Sequence, residues 1–206
     1  MSANINTYLK REVARLTEEN RLLKEENLSL RQYIDSLNTL MEALDDLSPD
    51  AEIMPLLDRI LYNGLMVVNA TEGSLLALDD ETGELEFVLA QGTVGREKLI
   101  GQRLPPGKGI AGWVAKNNKP TIVNSAQADY RFYSAIDDRI HFQTNSVLAA
   151  PIAGGGRVLG VLEMVNKHDG KPFTATDQTL LTILCRFAGE ILNFKVKQDE
   201  GQTASS

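Results

Sequence analysis

Leucine returns every seventh residue at the start of this chain, at Leu9, Leu16, Leu23, Leu30, Leu37 and Leu44. Half a turn away lie Val13, Asn20, Asn27, Ile34 and Met41. Apolar positions repeating in heptads predict a coiled coil, with Leu at d and mixed residues at a. A buried Asn at a costs stability, yet it selects two strands and one register because its amide is satisfied across a parallel axis. The flanking charges agree with that arrangement. In a parallel pair, Glu19 of one copy faces Lys24 of the other, and Glu26 faces Arg31. Each exposed pair is worth only about 0.3–0.5 kcal/mol, so these charges choose orientation more than they stabilise. Residues 1–47 are therefore expected to form a parallel dimeric coiled coil, with the homodimer made through residues 5–47. A solitary helix would leave the leucine stripe in water.

Beyond Leu44 the period changes. Asp45-Asp46-Leu47-Ser48-Pro49-Asp50 interrupts the heptads, and Pro49 disfavours a smooth continuation. A second helix is expected to carry Ile53, Leu57, Ile60, Leu61, Leu65 and Val68 on one face, becoming regular only after Pro55. Strand-like runs follow at Gly73–Leu78 and Leu85–Ala90 around an Asp79–Gly83 turn. A helix is expected from Gly109 to Asn117, and a short helix or ordered loop over Asp129–Ile140. Ser146–Ala153 and Arg157–Asn166 flank Gly154-Gly155-Gly156 as a hairpin. The last helix is expected from Thr174 to about Lys195, burying Leu180, Leu184, Phe187, Ala188 and Ile191, with 196–206 a disordered tail. This order of strands and helices reads as α+β with a mainly antiparallel central sheet flanked by helices, occupying 48–195.

Composition narrows the function. The chain has 206 residues, 43% of them apolar, enough for one domain plus an extension. A net charge of −7 argues against a surface that tracks nucleic-acid phosphates. A DNA-reading basic zipper needs a basic helix before its leucines, and Met1–Tyr8 contains no Lys or Arg. The N-terminus lacks the apolar stretch of a signal peptide, and no apolar run approaches the roughly 18 residues that span a bilayer. One cysteine, Cys185, rules out an internal disulfide. The expectation is a soluble cytoplasmic protein with no membrane or nucleic-acid partner. No output domain follows the sheet, so it is expected to act on an unidentified signalling protein in trans.

Catalysis finds little support. His141 and His168 have no metal-ligand spacing around them, and Cys185 sits in an apolar helical run where a small core residue is expected. No enzyme, metal or covalent cofactor is expected. Two segments carry more. Pro105-Pro106-Gly107-Lys108-Gly109-Ile110-Ala111-Gly112 opens a helix, which points free N–H groups near Ile110 and Ala111 at a suitable seat for a phosphate. It is not a P-loop, since no Ser or Thr follows Lys108. Further on, a half-buried strand from Leu159 to Val165 ends in Asn166-Lys167, and Thr174 through Asp177 forms a capping box. Lys167 leaves the strand near enough to pair with Asp177, which buckles the strand to the last helix.

Asn166-Lys167, a spacer, Phe173 and then Asp177 resemble the NKFDE motif of GAF domains of the kind found in cyclic-nucleotide phosphodiesterases and adenylyl cyclases; Gln178 stands where that motif has Glu. The resemblance continues through Gly109-Ile110-Ala111-Gly112, Arg131-Phe132-Tyr133 with Asp137-Asp138, Thr144-Asn145-Ser146 and Glu163, over residues 50–195. It implies a GAF fold and a cyclic nucleotide, cyclic AMP or cyclic GMP, as ligand. On the matching positions, Ser74 would line the base and Ile110 and Ala111 would offer main chain. Tyr133 would close near the phosphate, Asp137 and Thr144 would bond purine or ribose edges, and Glu163 would form the floor. Gln91 stands where the family pattern has an acid, and Ile140-His141 where it has Thr-Gly, which leaves the choice of base open. Ligand-driven ordering of Asp129–Phe142 and a shift of the dimer's helices would be the signal. Another small molecule, or a ligand-free dimerisation adaptor, are the competing readings.

Overall fold

The structure, a computed structural model, describes residues 2–45, 52–92 and 96–203. The chain divides into two units at Asn38–Thr39. The heptad segment is one continuous helix, α1 (Ser2–Asp45). Leu9, Val13, Leu16, Leu23, Leu30 and Ile34 are each about half exposed or more along it. Its polar face is laced by pairs one turn apart: Arg15 with Glu12 and Glu19, and Arg21 with Glu18 and Glu25. The interruption expected at residues 46–51 lies outside the described residues.

In the second unit, α2 (Ile53–Val68) is regular from its first residue. Pro55 falls in the first turn, where an N–H has no intrahelical acceptor to lose, so the ring is tolerated. Its apolar stripe, Leu57, Ile60, Leu61, Leu65 and Val68, is buried as its period requires. Asn69 ends it in the left-handed conformation and turns the chain into the sheet.

The strands are β1 (Ala70–Leu78), β2 (Leu85–Gln91), β3 (Arg103–Leu104), β4 (Thr121–Val123), β5 (Val147–Gly154) and β6 (Arg157–Lys167). They form one sheet in the order β3-β2-β1-β6-β5-β4, antiparallel throughout. Three short helices interleave them: α3 (Arg96–Leu99), α4 (Gly109–Asn117) and α5 (Ala135–Ile140). The chain closes with α6 (Ala175–Thr203). The two edge strands and α3 have two to four residues each, too short for any hydrophobic period, and the sequence pattern did not reveal them.

Alternation divides the sheet into two faces. On one, α2 and α6 pack against Leu162 and Met164 of β6. There α6 approaches β5 so closely that a Cβ on Gly154 would strike the Gly189 carbonyl, and one on Gly189 would strike Ala153. Leu180, Leu184, Ala188 and Ile191 are buried on this face, but Phe187 is 40% exposed, which corrects the burial expected for it. Leu184, Ala188 and Ile191 follow a spacing of four and three, while Phe187 lies one residue off that line and turns to the helix flank. The helix also runs past Lys195 to Thr203, with no Pro to stop it; residues 204–206 lie outside the described set. On the opposite face Leu76, Phe87, Val147, Ala149 and Val161 form a core with Ile110, Ala111 and Val114 of α4. The site lies on this second face.

Candidate functional site

Between that face of the sheet and the α4–α5 segment a cavity opens, with about 800 Å³ of empty space including its mouth. Ser74, Ile110, Ala111, Tyr133, Asp137, Thr144 and Glu163 all line it, from six different parts of the chain. Phe87, Phe132 and Phe142 supply flat apolar wall. The depth of this convergence follows from the sheet register, which no local pattern encodes.

The floor is set by β1 and β6. Ser74 pairs directly with Glu163, and Glu163 pairs on its other side with Ala149 of β5. Cross-strand partners share a face, so Ser74 and Glu163 project together beneath α4. Glu163 lies deep in the domain while keeping part of its surface on the cavity. Burial pushes its carboxyl up to about 7, with the Asp137 charge adding to the rise. A hydrogen bond from the Ala111 backbone N–H opposes it.

The α4 terminus is built by a glycine turn. Gly107 and Gly109 both have φ above +70°, a conformation that Gly enters without a Cβ penalty. Lys108 is the N-cap residue, and its ammonium lies 5.6 Å from the centroid of the Tyr133 ring. This is within cation–π range and places a positive charge at the mouth, beside the residue expected near a phosphate.

Asp137 and Thr144 meet, but they meet each other. The Thr144 backbone N–H donates to Asp137 Oδ2 at 2.8 Å and its hydroxyl donates to Oδ1 at 2.8 Å. Both residues are buried, and Gln127 Nε2 donates to the Thr144 carbonyl at 3.1 Å. The pair staples α5 to the loop before β5. That loop is held from beneath by Asn166, itself left-handed at φ 51°. Its Oδ1 accepts from the N–H groups of Asn145 and Ser146 at 2.8 and 3.0 Å, and its Nδ2 donates to the Gln143 carbonyl. In front of α5, the Arg131 side chain donates twice and its backbone N–H once to the Asp129 carboxylate, and the guanidinium stacks 4.8 Å from the Trp113 ring centroid. The Arg131 guanidinium holds the Asp129 carboxyl below its usual range. Neither Gln127 nor the Arg131–Trp113 stack stood out in sequence, because their roles depend on contacts between elements.

Gln91 is placed differently from the rest. It borders the cavity, but it pairs with Gly73, whose missing side chain would point at Leu61 and Leu65 of α2. Its amide accordingly turns to α2 and donates to the Asp58 carboxylate at 2.9 Å and carbonyl at 3.1 Å. Its Nε2 donors are thus directed to α2. Ile140 adds apolar wall, and His141 ends α5 in the left-handed region at φ 56°, where glycine is easier.

The buckle expected at the end of the sheet is present. Lys167 Nζ lies 3.0 Å from Asp177 Oδ2 with both side chains nearly buried. The same oxygen accepts from the Thr174 N–H at 2.7 Å and hydroxyl at 2.9 Å, and the Asp177 N–H donates back to Thr174, closing the capping box. Phe173 is buried beneath, its backbone bonded both ways to Asn124.

Among the described residues no cluster of three or more His, Cys, Asp or Glu is arranged to hold a metal, and no helix is long and apolar enough to cross a membrane. Cys185 is buried in α6, where desolvation raises its thiol well above the usual range. It is unsuited to act as a thiolate nucleophile.

A six-stranded antiparallel sheet with paired helices on one face and a cavity under the α4–α5 segment on the other defines an α+β domain. The family model for the GAF domain matches residues 55–193, and the chain belongs to that family. Among curated proteins it is 31% identical over 157 residues to a probable 3',5'-cyclic phosphodiesterase of Caenorhabditis elegans, covering 72% of this chain and 21% of that one. It is 28% identical over 171 residues to the dual 3',5'-cyclic-AMP and -GMP phosphodiesterase 11 of Drosophila melanogaster, covering 77% of this chain and 12% of that one. The chain therefore spans only 12% to 21% of these relatives' length. Among solved structures, the GAF domain of a Coxiella burnetii phosphoenolpyruvate-protein phosphotransferase superposes with a TM-score of 0.67 at 20% identity, covering 81% of this chain and 98% of that one. The free methionine-R-sulfoxide reductase of Neisseria meningitidis follows with 0.65 at 17%, covering 81% and 91%. At such identities these two carry the fold alone.

Proposed function

We propose that the chain is a dimeric regulatory protein whose GAF domain binds a cyclic nucleotide and signals the occupied state to a partner protein. The observation that carries the reading is the convergence of Ser74, Ile110, Ala111, Tyr133, Asp137, Thr144 and Glu163 on one cavity. Aromatic wall suits a purine, the buried polar groups suit its edge and the ribose, and the α4 terminus with Lys108 suits a single phosphate charge. The named activities of the phosphodiesterase relatives support the same ligand class. Dimerisation through α1 rests on its exposed leucine seam and on the Asn20 and Asn27 positions within it. The reading assigns the chain no catalysis, and a cytoplasmic location agrees with its single buried thiol.

Thermal denaturation of the full chain with cyclic AMP and cyclic GMP tests it. A ligand at 100 times its dissociation constant stabilises the folded state by about 2.7 kcal/mol, a shift of several degrees. Asp137→Ala, which breaks the staple to Thr144, is expected to abolish that shift. A second reading, a ligand-free adaptor, is favoured by one specific feature: Gln91 Nε2 donates to Asp58, and Asp137 and Thr144 bond each other within the protein. No shift with either nucleotide at millimolar concentration overturns the cyclic-nucleotide reading and leaves the adaptor and another small-molecule ligand as its rivals.

A further inference from the structure

The cavity is lined by acids and by no base. Glu72, Asp137 and Glu163 border it, and no Lys or Arg does so among the described residues. Glu163 lies on the sheet floor opposite Ser74, and Asp137 is buried against Thr144. A phosphate placed deep in this space meets like charge, so its seat lies toward the mouth, within reach of a cation. Five cations stand one residue from a lining position: Lys98, Arg103, Lys108, Arg131 and Arg139. Three of them are engaged elsewhere. Arg103 pairs with Asp79, Glu84 and Glu86, Arg131 with Asp129 and the Trp113 ring, and Arg139 with Gln102. Lys98 is exposed on α3. It is Lys108 whose ammonium lies over the ring of a lining residue, 5.6 Å from the Tyr133 centroid.

The backbone under Lys108 is fixed while its side chain is free to swing. Its N–H donates to the Pro105 carbonyl at 3.0 Å, and its carbonyl accepts from the Gly112 N–H at 3.1 Å. A Cβ on Gly112 would come within 2.6 Å of the Gly107 backbone, so the turn is pressed onto the first turn of α4. Gly109, next in the chain, lies so that a Cβ there would be 3.7 Å from that of Tyr133. The turn thus delivers Lys108 to one side of the cavity, and the exposed four-carbon stem carries a compact charge. We propose that Lys108 is the charge selector of the site: it rests on the Tyr133 ring when the cavity is empty and moves to the phosphate when a cyclic nucleotide enters. This rests on the reading of the cavity as a cyclic-nucleotide site. A cation over a half-exposed aromatic face is held weakly, and an anionic oxygen is the stronger partner. The acids inside the cavity repel the same phosphate, so Lys108 determines whether a charged nucleotide is preferred to the neutral nucleoside with the same base and sugar.

Isothermal titration calorimetry on the full chain tests this, with cyclic GMP, cyclic AMP, guanosine and adenosine as probes, in about 50 mM and about 300 mM salt. Lys108→Met keeps most of the stem and removes the charge. It is expected to weaken cyclic-nucleotide binding by about tenfold at low salt, the lower end for a hydrogen bond to a charged group. The loss should shrink at high salt, and nucleoside affinity should stay as in the wild type. Lys108→Arg is expected to restore most of the cyclic-nucleotide affinity. Lys98→Met, which removes the same charge from α3, should change neither ligand class. A Lys108→Met variant that binds cyclic nucleotides as the wild type does, or loses both classes equally, overturns the proposal and leaves the ligand assignment standing. An equal loss in Lys98→Met overturns it too, since a diffuse field then suffices. Absence of wild-type binding to either cyclic nucleotide removes the ligand assignment, and this proposal with it.

Discussion

The pair Lys167–Asp177 is the sharpest place to test how the domain is held together. Asp177 Oδ2 receives three donors, the Lys167 ammonium at 3.0 Å and the N–H and hydroxyl of Thr174 at 2.7 and 2.9 Å. The two side chains of the pair are only 12% and 11% exposed. Removing one member of a buried pair typically costs about 3–5 kcal/mol, because the remaining charge is stranded. In Lys167→Met the carboxylate keeps its two Thr174 donors and the favourable helix terminus, which brings the expected loss down to about 2–3 kcal/mol. Asp177→Asn strands the ammonium and weakens the capping box, with an expected loss of about 3 kcal/mol. The double variant strands nothing, so it should lose about 3 kcal/mol rather than the sum, a coupling of about 2 kcal/mol. Urea unfolding followed by fluorescence measures each value. Trp113 is the single tryptophan and lies in α4, so the signal reports this unit and not α1. A coupling energy below about 0.5 kcal/mol, the level of an exposed pair, would refute the claim that this ion pair ties β6 to α6.

Two further outcomes follow from the same geometry. The Glu163 carboxyl is raised from 4.5 to about 7 in the folded protein, so the native state binds its proton more tightly than the unfolded chain. The resulting stabilisation is complete below about pH 4.5 and is lost as pH rises through about 7. Relative to Glu163→Gln, the wild type should therefore lose about 3 kcal/mol between pH 5 and pH 8 in urea unfolding; an unchanged difference at the two pH values contradicts the placement of this acid. For α1, sedimentation of the wild type at micromolar concentration should give two copies. Leu16→Ser with Leu23→Ser should give one, and a monomeric wild type ends the coiled-coil reading.

Much of this architecture is written in local periods. The heptads announced α1, the spacing of Leu57, Leu61 and Leu65 announced α2, and Gly109–Asn117 was legible as α4 to the residue. The capping box at Thr174 and Asp177 needed only four consecutive residues, and its partner Lys167 lies ten away across a short loop. Seven residues matched to the family pattern do share one cavity. What escaped were features decided by register and packing. Phe187 fell off the buried line of α6, and β3 and β4 were too short to have a period. Gln91 borders the cavity as read, but that its Nε2 donates to Asp58 was not legible, because it depends on how α2 packs beside β2. Local sequence sets backbone conformation over a few residues, and so it carries helices, turns and caps. Whether a polar group meets a ligand, a neighbour or nothing depends on residues outside its own element, 33 positions away for Gln91 and Asp58, and only the assembled sheet, with its helices packed on it, brings those together.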